Sequence, residues 1–407
     1  MPTSPQEAVR RQNLGALLRY VHLRGATSRA ELTARLGLNR STIGALTADL
    51  ATAGLVDEGA PRETGRAGRP SLVVRPRSSR VYGYALSIEV DRLRAARVGL
   101  GGAILDSRTA QRPPGTEPAG AIGTLAALVH DMHRHTPAAG VLVGCGVAVT
   151  GMVRQADGTV RIHPQAGPAG ETAGAALGNA LGAALGHDRP PLVGDLADVA
   201  ALAEHTRGAA AGFDNVLYLH GDAGIGAGII AGGRLVTGHG GYGGEVGHMV
   251  VNPDGRPCGC GSRGCWETEI GERALLRNVG RDGATGRDAV LAVVEAALRG
   301  EPVAQAAVRH VADWLGFGVA NLVNLFNPEA VVFGGSLREL YLADATHVRA
   351  RLLRMALPVC REHLRLRTPV LGDDAPLVGA AELAFERLLA DPLETADPAD
   401  REFSAPA

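Results

Sequence analysis

The sequence predicts an α/β protein preceded by an N-terminal winged helix-turn-helix, and three observations carry that prediction. Apolar residues recur three and four apart as far as Leu50, the period of amphipathic helices. From Val81 onward, strand-like runs alternate with helical stretches across glycine-rich turns, the order of an α/β chain. Between the two lies an arginine- and glycine-rich segment that returns to the strand-like Leu72-Val73-Val74, as a wing would.

The first helix spans about residues 6–23, with Leu14, Leu17, Leu18 and Val21 on one face. Ser28 and Glu31 form a capping box that starts a second helix, and Gly37 turns the chain before Asn39 caps a third, which runs to about Ala53. In that third helix Ile43, Leu46 and Leu50 point inward. Arg40, Ser41, Thr42, Ala45 and Thr47 are then left facing outward, as on a reading helix. Gly68-Arg69-Pro70 is a narrow extended tripeptide that could place Arg69 in an A·T-rich minor groove, with Arg66 beside it; a solvated linker is the plainer alternative. Candidate DNA contacts are therefore Ser28, Arg29, Asn39, Arg40, Ser41, Thr42, Arg66 and Arg69.

Charge supports that reading. The chain of 407 residues has a net charge of −1, yet residues 1–80 hold 13 Arg against 6 Asp plus Glu, a balance of +7 that leaves −8 for the rest. A basic end on an acidic body suggests operator DNA as a partner. A hydrophobic content of 45% is ample for two or three packed domains. Five cysteines, three of them clustered, and the lack of a membrane-length apolar run point to a reducing cytoplasmic location and to no membrane partner.

The densest group of ligand-type residues is Gly244 to Glu267. Cys258, Cys260 and Cys265, with His248 ten residues upstream, make a three-thiolate, one-imidazole set suited to structural zinc. A buried or disulfide-bonded cluster is the alternative, but Gly261-Ser262-Arg263-Gly264 is the tight-turning backbone that a metal knuckle needs.

The order from Ala8 to Val56, then Ala67-Gly68-Arg69-Pro70, then the cysteine stretch, resembles the transcriptional regulators of the ROK family, which unites xylose and N-acetylglucosamine repressors with sugar kinases. The resemblance covers nearly the whole chain. It implies a two-lobed, actin-like ATPase (sugar-kinase-like) fold over residues 79–390, after a winged helix-turn-helix over 1–78 and before a disordered tail over 391–407. It also implies a homodimer or dimer of dimers that senses a sugar or sugar-phosphate effector, and zinc as the bound metal.

Departures from the family's kinases decide the expected activity. Their first phosphate loop, Asp-Gly-Gly-Thr, falls on Glu89-Val90-Asp91-Arg92, where bulk and negative charge replace glycine. Their catalytic base falls on Leu196 in a gap-free register, or on Asp195 after a one-residue slip. The glycine-rich run from His220 to Gly228 matches the second phosphate loop but reads equally as a tight strand connection. By the same resemblance Glu245, His248 and Glu267 match positions that contact sugar hydroxyls, while Gln165 and Asp195 make up an altered facing half of the effector pocket. The expectation is a non-enzymatic repressor with a sugar effector; a regulator without a sugar ligand is the alternative, and an ATP-dependent sugar kinase a more distant one.

Overall fold

The computed structural model describes residues 5–60, 71–113, 118–136, 140–160, 176, 179–180, 190–222, 224–282 and 286–395. Three helices open the chain: α1 (Pro5–Arg24), α2 (Arg29–Leu36) and α3 (Arg40–Thr52). Ser28 Oγ accepts from Glu31 N at 3.1 Å and Asn39 Oδ1 from Thr42 N at 2.8 Å, so both anticipated caps are made. Leu17, Leu18, Val21, Leu32, Ile43 and Leu50 close a core with no exposure. A small antiparallel sheet in the order β1-β3-β2 flanks them, built from β1 (Thr27–Ser28), β2 (Val56–Gly59) and β3 (Val73–Pro76). One outward assignment on α3 is corrected. Thr47 is fully buried and bonds Ile43 O at 2.7 Å, because a residue four after Ile43 shares its face.

Two five-stranded sheets follow. The first comprises β4 (Val81–Ile88), β5 (Arg92–Gly99), β6 (Ile104–Gln111), β7 (Val141–Val149) and β10 (Leu192–Asp195) in the order β10-β7-β4-β5-β6. The helix α4 (Pro118–Arg134) packs on it, and a small hairpin, β8 (Val153–Arg154) with β9 (Thr159–Val160), follows β7. The second sheet is β13-β12-β11-β14-β15: β11 (Val216–Gly221), β12 (Ile225–Ala231), β13 (Arg234–Leu235), β14 (Ala330–Gly335) and β15 (Arg365–Arg367). Each sheet is an antiparallel meander extended by two parallel strands. The first turn of each meander, at 89–91 and 222–224, therefore occupies the same place in its sheet.

Helix α5 (Leu196–Arg207) begins where β10 ends and packs on both β12 and the closing helix α12 (Ala375–Ala390), so it lies between the sheets. The second sheet is covered by α6 (Gly271–Asn278), α7 (Arg287–Leu298), α8 (Pro302–Phe326), α9 (Ser336–Ala343) and α10 (Ala345–Met355). A turn α11 (Pro358–Arg361) precedes β15. The expected disorder from Asp391 gives way at first to a short helix α13 (Pro392–Thr395), which rests against α1. No helix among the described residues is long and apolar enough to cross a membrane.

Candidate functional site

The cysteine stretch folds as a knuckle on the second sheet. The Nδ1 or Nε2 of His248 and the Sγ atoms of Cys258, Cys260 and Cys265 all lie within 4.8 Å of one another. Cys258 Sγ is 3.6 Å from His248 Nδ1, and Cys260 Sγ is 3.7 Å from Cys265 Sγ. Those separations match the edges of about 3.8 Å that a tetrahedron with 2.3 Å zinc–sulfur bonds requires. All three thiols are free rather than disulfide-bonded. The residues present therefore fit a closed four-ligand zinc site.

Backbone geometry explains why the knuckle turns where it does. Gly264 has φ +69°, and a Cβ there would stand 1.6 Å from Asn252 O. Below it Trp266 is fully buried and donates Nε1–H to Trp314 O at 2.9 Å, fastening the knuckle to α8.

His248 uses its two ring nitrogens differently. Nδ1 faces the cysteines and lies 3.8 Å from Glu267 Oε1, whereas Nε2 points the other way, 3.9 Å from Glu245 Oε2. Across from Glu245 stands the head of α5. Asp195 Oδ1 caps this helix, accepting from Ala197 N at 2.9 Å and Asp198 N at 3.2 Å. Burial pushes Asp195 up to about 6 against the pull of those N–H groups and of His220. Asp198, one turn on, is pushed up to about 8 by burial and by the charges of Asp195 and Glu245. Glu245 rises to about 7 by burial and then through Asp195 and Glu267. Asp195, Glu245, His248 and Glu267 thus stand near one another where the head of α5 approaches the knuckle; Gln165 lies outside the described residues.

Two findings revise the sequence reading here. Leu196, which the gap-free register set at the base position, is only 2% exposed and packs into the core, so Asp195 is the residue at the cleft. Asp198 went unnoticed, although its spacing of three from Asp195 puts it on the same helix face. Its Oδ1 is buried and has no hydrogen-bond partner among the described residues.

The two meander turns are filled by their own side chains. Glu89, 3% exposed, accepts from Ser87 Oγ at 2.9 Å and pairs with Arg92 Nε, while Arg112 Nη1 donates to Glu89 O at 3.0 Å. Burial raises the Glu89 carboxyl despite Arg92. In the second turn His220 Nε2 lies 3.0 Å from Asp222 Oδ2, and Glu272 nearby is pushed up to about 7 by burial and by Asp222. Each turn thus carries an internal pair, Glu89–Arg92 in the first and His220–Asp222 in the second.

At the N-terminal unit, Asn39, Arg40, Ser41 and Ala45 are exposed along the start of α3. Asn39 also accepts from Ser41 Oγ at 2.7 Å. Ser28 is committed to its cap. Arg29 is held across to β2 by a two-pronged pair with Glu58, its Nη2 2.5 Å from Oε2. The guanidinium named as a candidate DNA contact is thus ion-paired within its own unit. Arg66 and Arg69 lie outside the described residues.

Two α/β lobes with a carboxylate-lined cleft, a Cys3His knuckle and a helical N-terminal unit define a protein built on the sugar-kinase architecture. The profile of the ROK family matches residues 84–387, and the chain belongs to that family. The xylose repressor of Bacillus spizizenii is 25% identical over 392 residues, covering 96% of this chain and 99% of the repressor. The glucokinase of Streptomyces coelicolor is 35% identical over 218 residues, which is 48% of this chain and 68% of the kinase. Among solved structures, a ROK family transcriptional regulator homologous to the E. coli MLC protein superposes with a TM-score of 0.77 at 24% identity, covering 96% of this chain and 99% of that one. A ROK family glucokinase from Streptomyces griseus, in complex with glucose and AMPPNP, gives 0.63 at 31% identity over 75% of this chain and 99% of its own.

Proposed function

We propose that this chain is a sugar-responsive, DNA-binding transcriptional repressor without kinase activity. The observation that carries this reading is the joining of a kinase-like cleft to first and second turns closed by Glu89–Arg92 and His220–Asp222, behind an N-terminal helical unit. The match over 96% of the chain to a xylose repressor, against 48% to a glucokinase, supports it. Residues 1–78 act as a winged helix-turn-helix whose α3 enters the major groove through Arg40, Ser41 and Thr42, with Arg66 and Arg69 on the wing. Ser28, Arg29 and Asn39 shape that surface through their caps and ion pair.

Residues 79–390 sense the effector. Glu245, His248 Nε2, Glu267 and Asp195, with Gln165, offer acceptors and donors to sugar hydroxyls. The crowd of carboxylates favours a neutral sugar over a sugar phosphate. His248, Cys258, Cys260 and Cys265 hold a structural zinc that fixes the His248 ring between metal and cleft. A cytoplasmic homodimer, or dimer of dimers, would present two α3 helices to a pseudo-palindromic operator. Genomic footprinting with the purified full chain tests the reading. Protected sites whose affinity drops on addition of one of a panel of sugars are expected. Phosphate transfer from ATP to a hexose, or the lack of any protected site, would overturn it.

A further inference from the structure

Helix α5 has a distinctive end-to-end placement. Its cap, Asp195, and Asp198 of its first turn stand at the cleft, and its last residue, Arg207, reaches the N-terminal unit about 18 Å away along a helix rising about 1.5 Å per residue. Arg207 Nε and Nη2 donate to Glu382 Oε1 of α12 at 2.9 and 2.7 Å. Arg207 Nη1 donates to two carbonyls, His22 O of α1 at 2.8 Å and Gly101 O at 3.0 Å. His22, fully buried, closes the group: Gly101 N–H donates to its Nδ1 at 2.9 Å, and its Nε2 lies 3.0 Å from Glu382 Oε2 and 2.7 Å from Arg207 Nη2. A backbone N–H can only donate, so Nδ1 accepts, which leaves Nε2 to face both the Glu382 carboxylate and the Arg207 fork. The His22 ring packs on Phe385 of α12, with centroids 4.9 Å apart.

One guanidinium thus ties four segments: α1, the β5–β6 turn, α5 and α12. A planar fork can satisfy a carboxylate and two carbonyls at once, which a lysine ammonium at the same reach cannot. Between its ends α5 is rigidly seated. Leu196, Val199, Ala200, Ala201 and Ala203 are buried, and a Cβ on Gly228 of β12 would stand 2.3 Å from the Ala201 methyl. Displacing one end of such a helix displaces the other, because packed cores switch between arrangements rather than deform smoothly.

We propose that α5 is the rod that couples the effector cleft to the DNA-binding unit, and that Arg207, gripping His22 and Glu382, is the positioning residue at its far end. This rests on the DNA-binding reading above. A ligand that draws Asp195 and Asp198 towards Glu245 shifts α5 and with it the footing of α1. Linkage makes the effect reciprocal, so operator binding must be felt at the cleft end of α5.

The test uses the zinc-loaded full chain and a duplex selected by that chain from random sequence. Hydrogen exchange is followed at the amides of 197–200 with and without the duplex. A change of about fivefold is expected in the native chain. In Arg207→Lys and in Glu382→Gln, two independent ways of breaking the grip, the duplex still binds while the change at 197–200 disappears; unaltered zinc content and thermal unfolding verify that each variant is folded. An unchanged exchange response in both variants, or no response in the native chain despite duplex binding, overturns the proposal. Failure to enrich any duplex would instead overturn the DNA-binding reading, and this inference with it.

Discussion

Replacing Asp198 by asparagine removes a charge from a position where the fold opposes it, and the consequence can be worked out as a function of pH. In the unfolded chain this carboxyl ionises at its ordinary value of 3.8, whereas in the folded chain it is pushed up to about 8. Between those values the folded state keeps a proton that the unfolded state has released. Stability therefore falls as pH rises through that window, and the full penalty is present above it. At pH 7 the gap is about three units of roughly 1.4 kcal/mol each, a ceiling of about 4 kcal/mol. Asp195 and Glu245 share the same repulsion, so about 2 kcal/mol is the expected gain for Asp198→Asn. An amide is nearly isosteric with the carboxylate and carries no charge. Urea unfolding at pH 8 and at pH 4 is the assay. The variant should be more stable than the native chain at pH 8 by about that amount, with the advantage nearly gone at pH 4. Equal stabilities at pH 8, or a variant that is weaker there, would refute the account of the cleft as a group of crowded carboxylates.

Three further outcomes are expected. Cys265→Ser, at a fully buried member of the proposed zinc set, should abolish stoichiometric zinc as read by elemental analysis; retained metal would remove this cysteine from the set. Arg40→Ala should weaken operator binding about equally across sequences and reduce the slope of log affinity against log salt by about one, measured by fluorescence anisotropy. A change confined to one base position would make Arg40 a base reader instead. The native chain, with Asp195 already in place, should give no sugar phosphorylation in a coupled ADP assay if the Glu89–Arg92 pair closes the first turn; measurable turnover would show that turn to be open.

Local chemistry in the sequence translated well into structure where it depended on neighbours in the chain. The Ser28 and Asn39 caps, the three-helix order and the Cys258, Cys260, Cys265 and His248 cluster all rest on short spacings, and each is found as anticipated. Misreadings arose where long-range packing decides. Glu58, 29 residues away on β2, pairs with Arg29, a contact that no local pattern announces. Leu196 took the base position in a gap-free register because a sequence cannot say which residue of a strand-to-helix junction faces the core. Thr47 was a different kind of miss: helix period alone puts it beside Ile43, and its hydroxyl finds a partner within its own helix. Asp198 was legible by spacing, but its raised ionisation comes from burial, then from Asp195 and from Glu245, which the second lobe delivers.

The Glu89–Arg92 pair carries a consequence for how this turn could change over generations. The burial is one-sided: Glu89 is 3% exposed and pairs with Arg92, whose side chain is 28% exposed. Losing Arg92 first strands a carboxylate in the interior, which costs up to about 3–5 kcal/mol, whereas losing Glu89 first leaves a guanidinium that water can still reach. Opening the turn to phosphate also needs Val90 and Asp91 to give way. A lineage that has filled its anion site in this manner faces a valley between regulator and kinase, with stability falling before any catalysis returns, so the filled turn works as a ratchet.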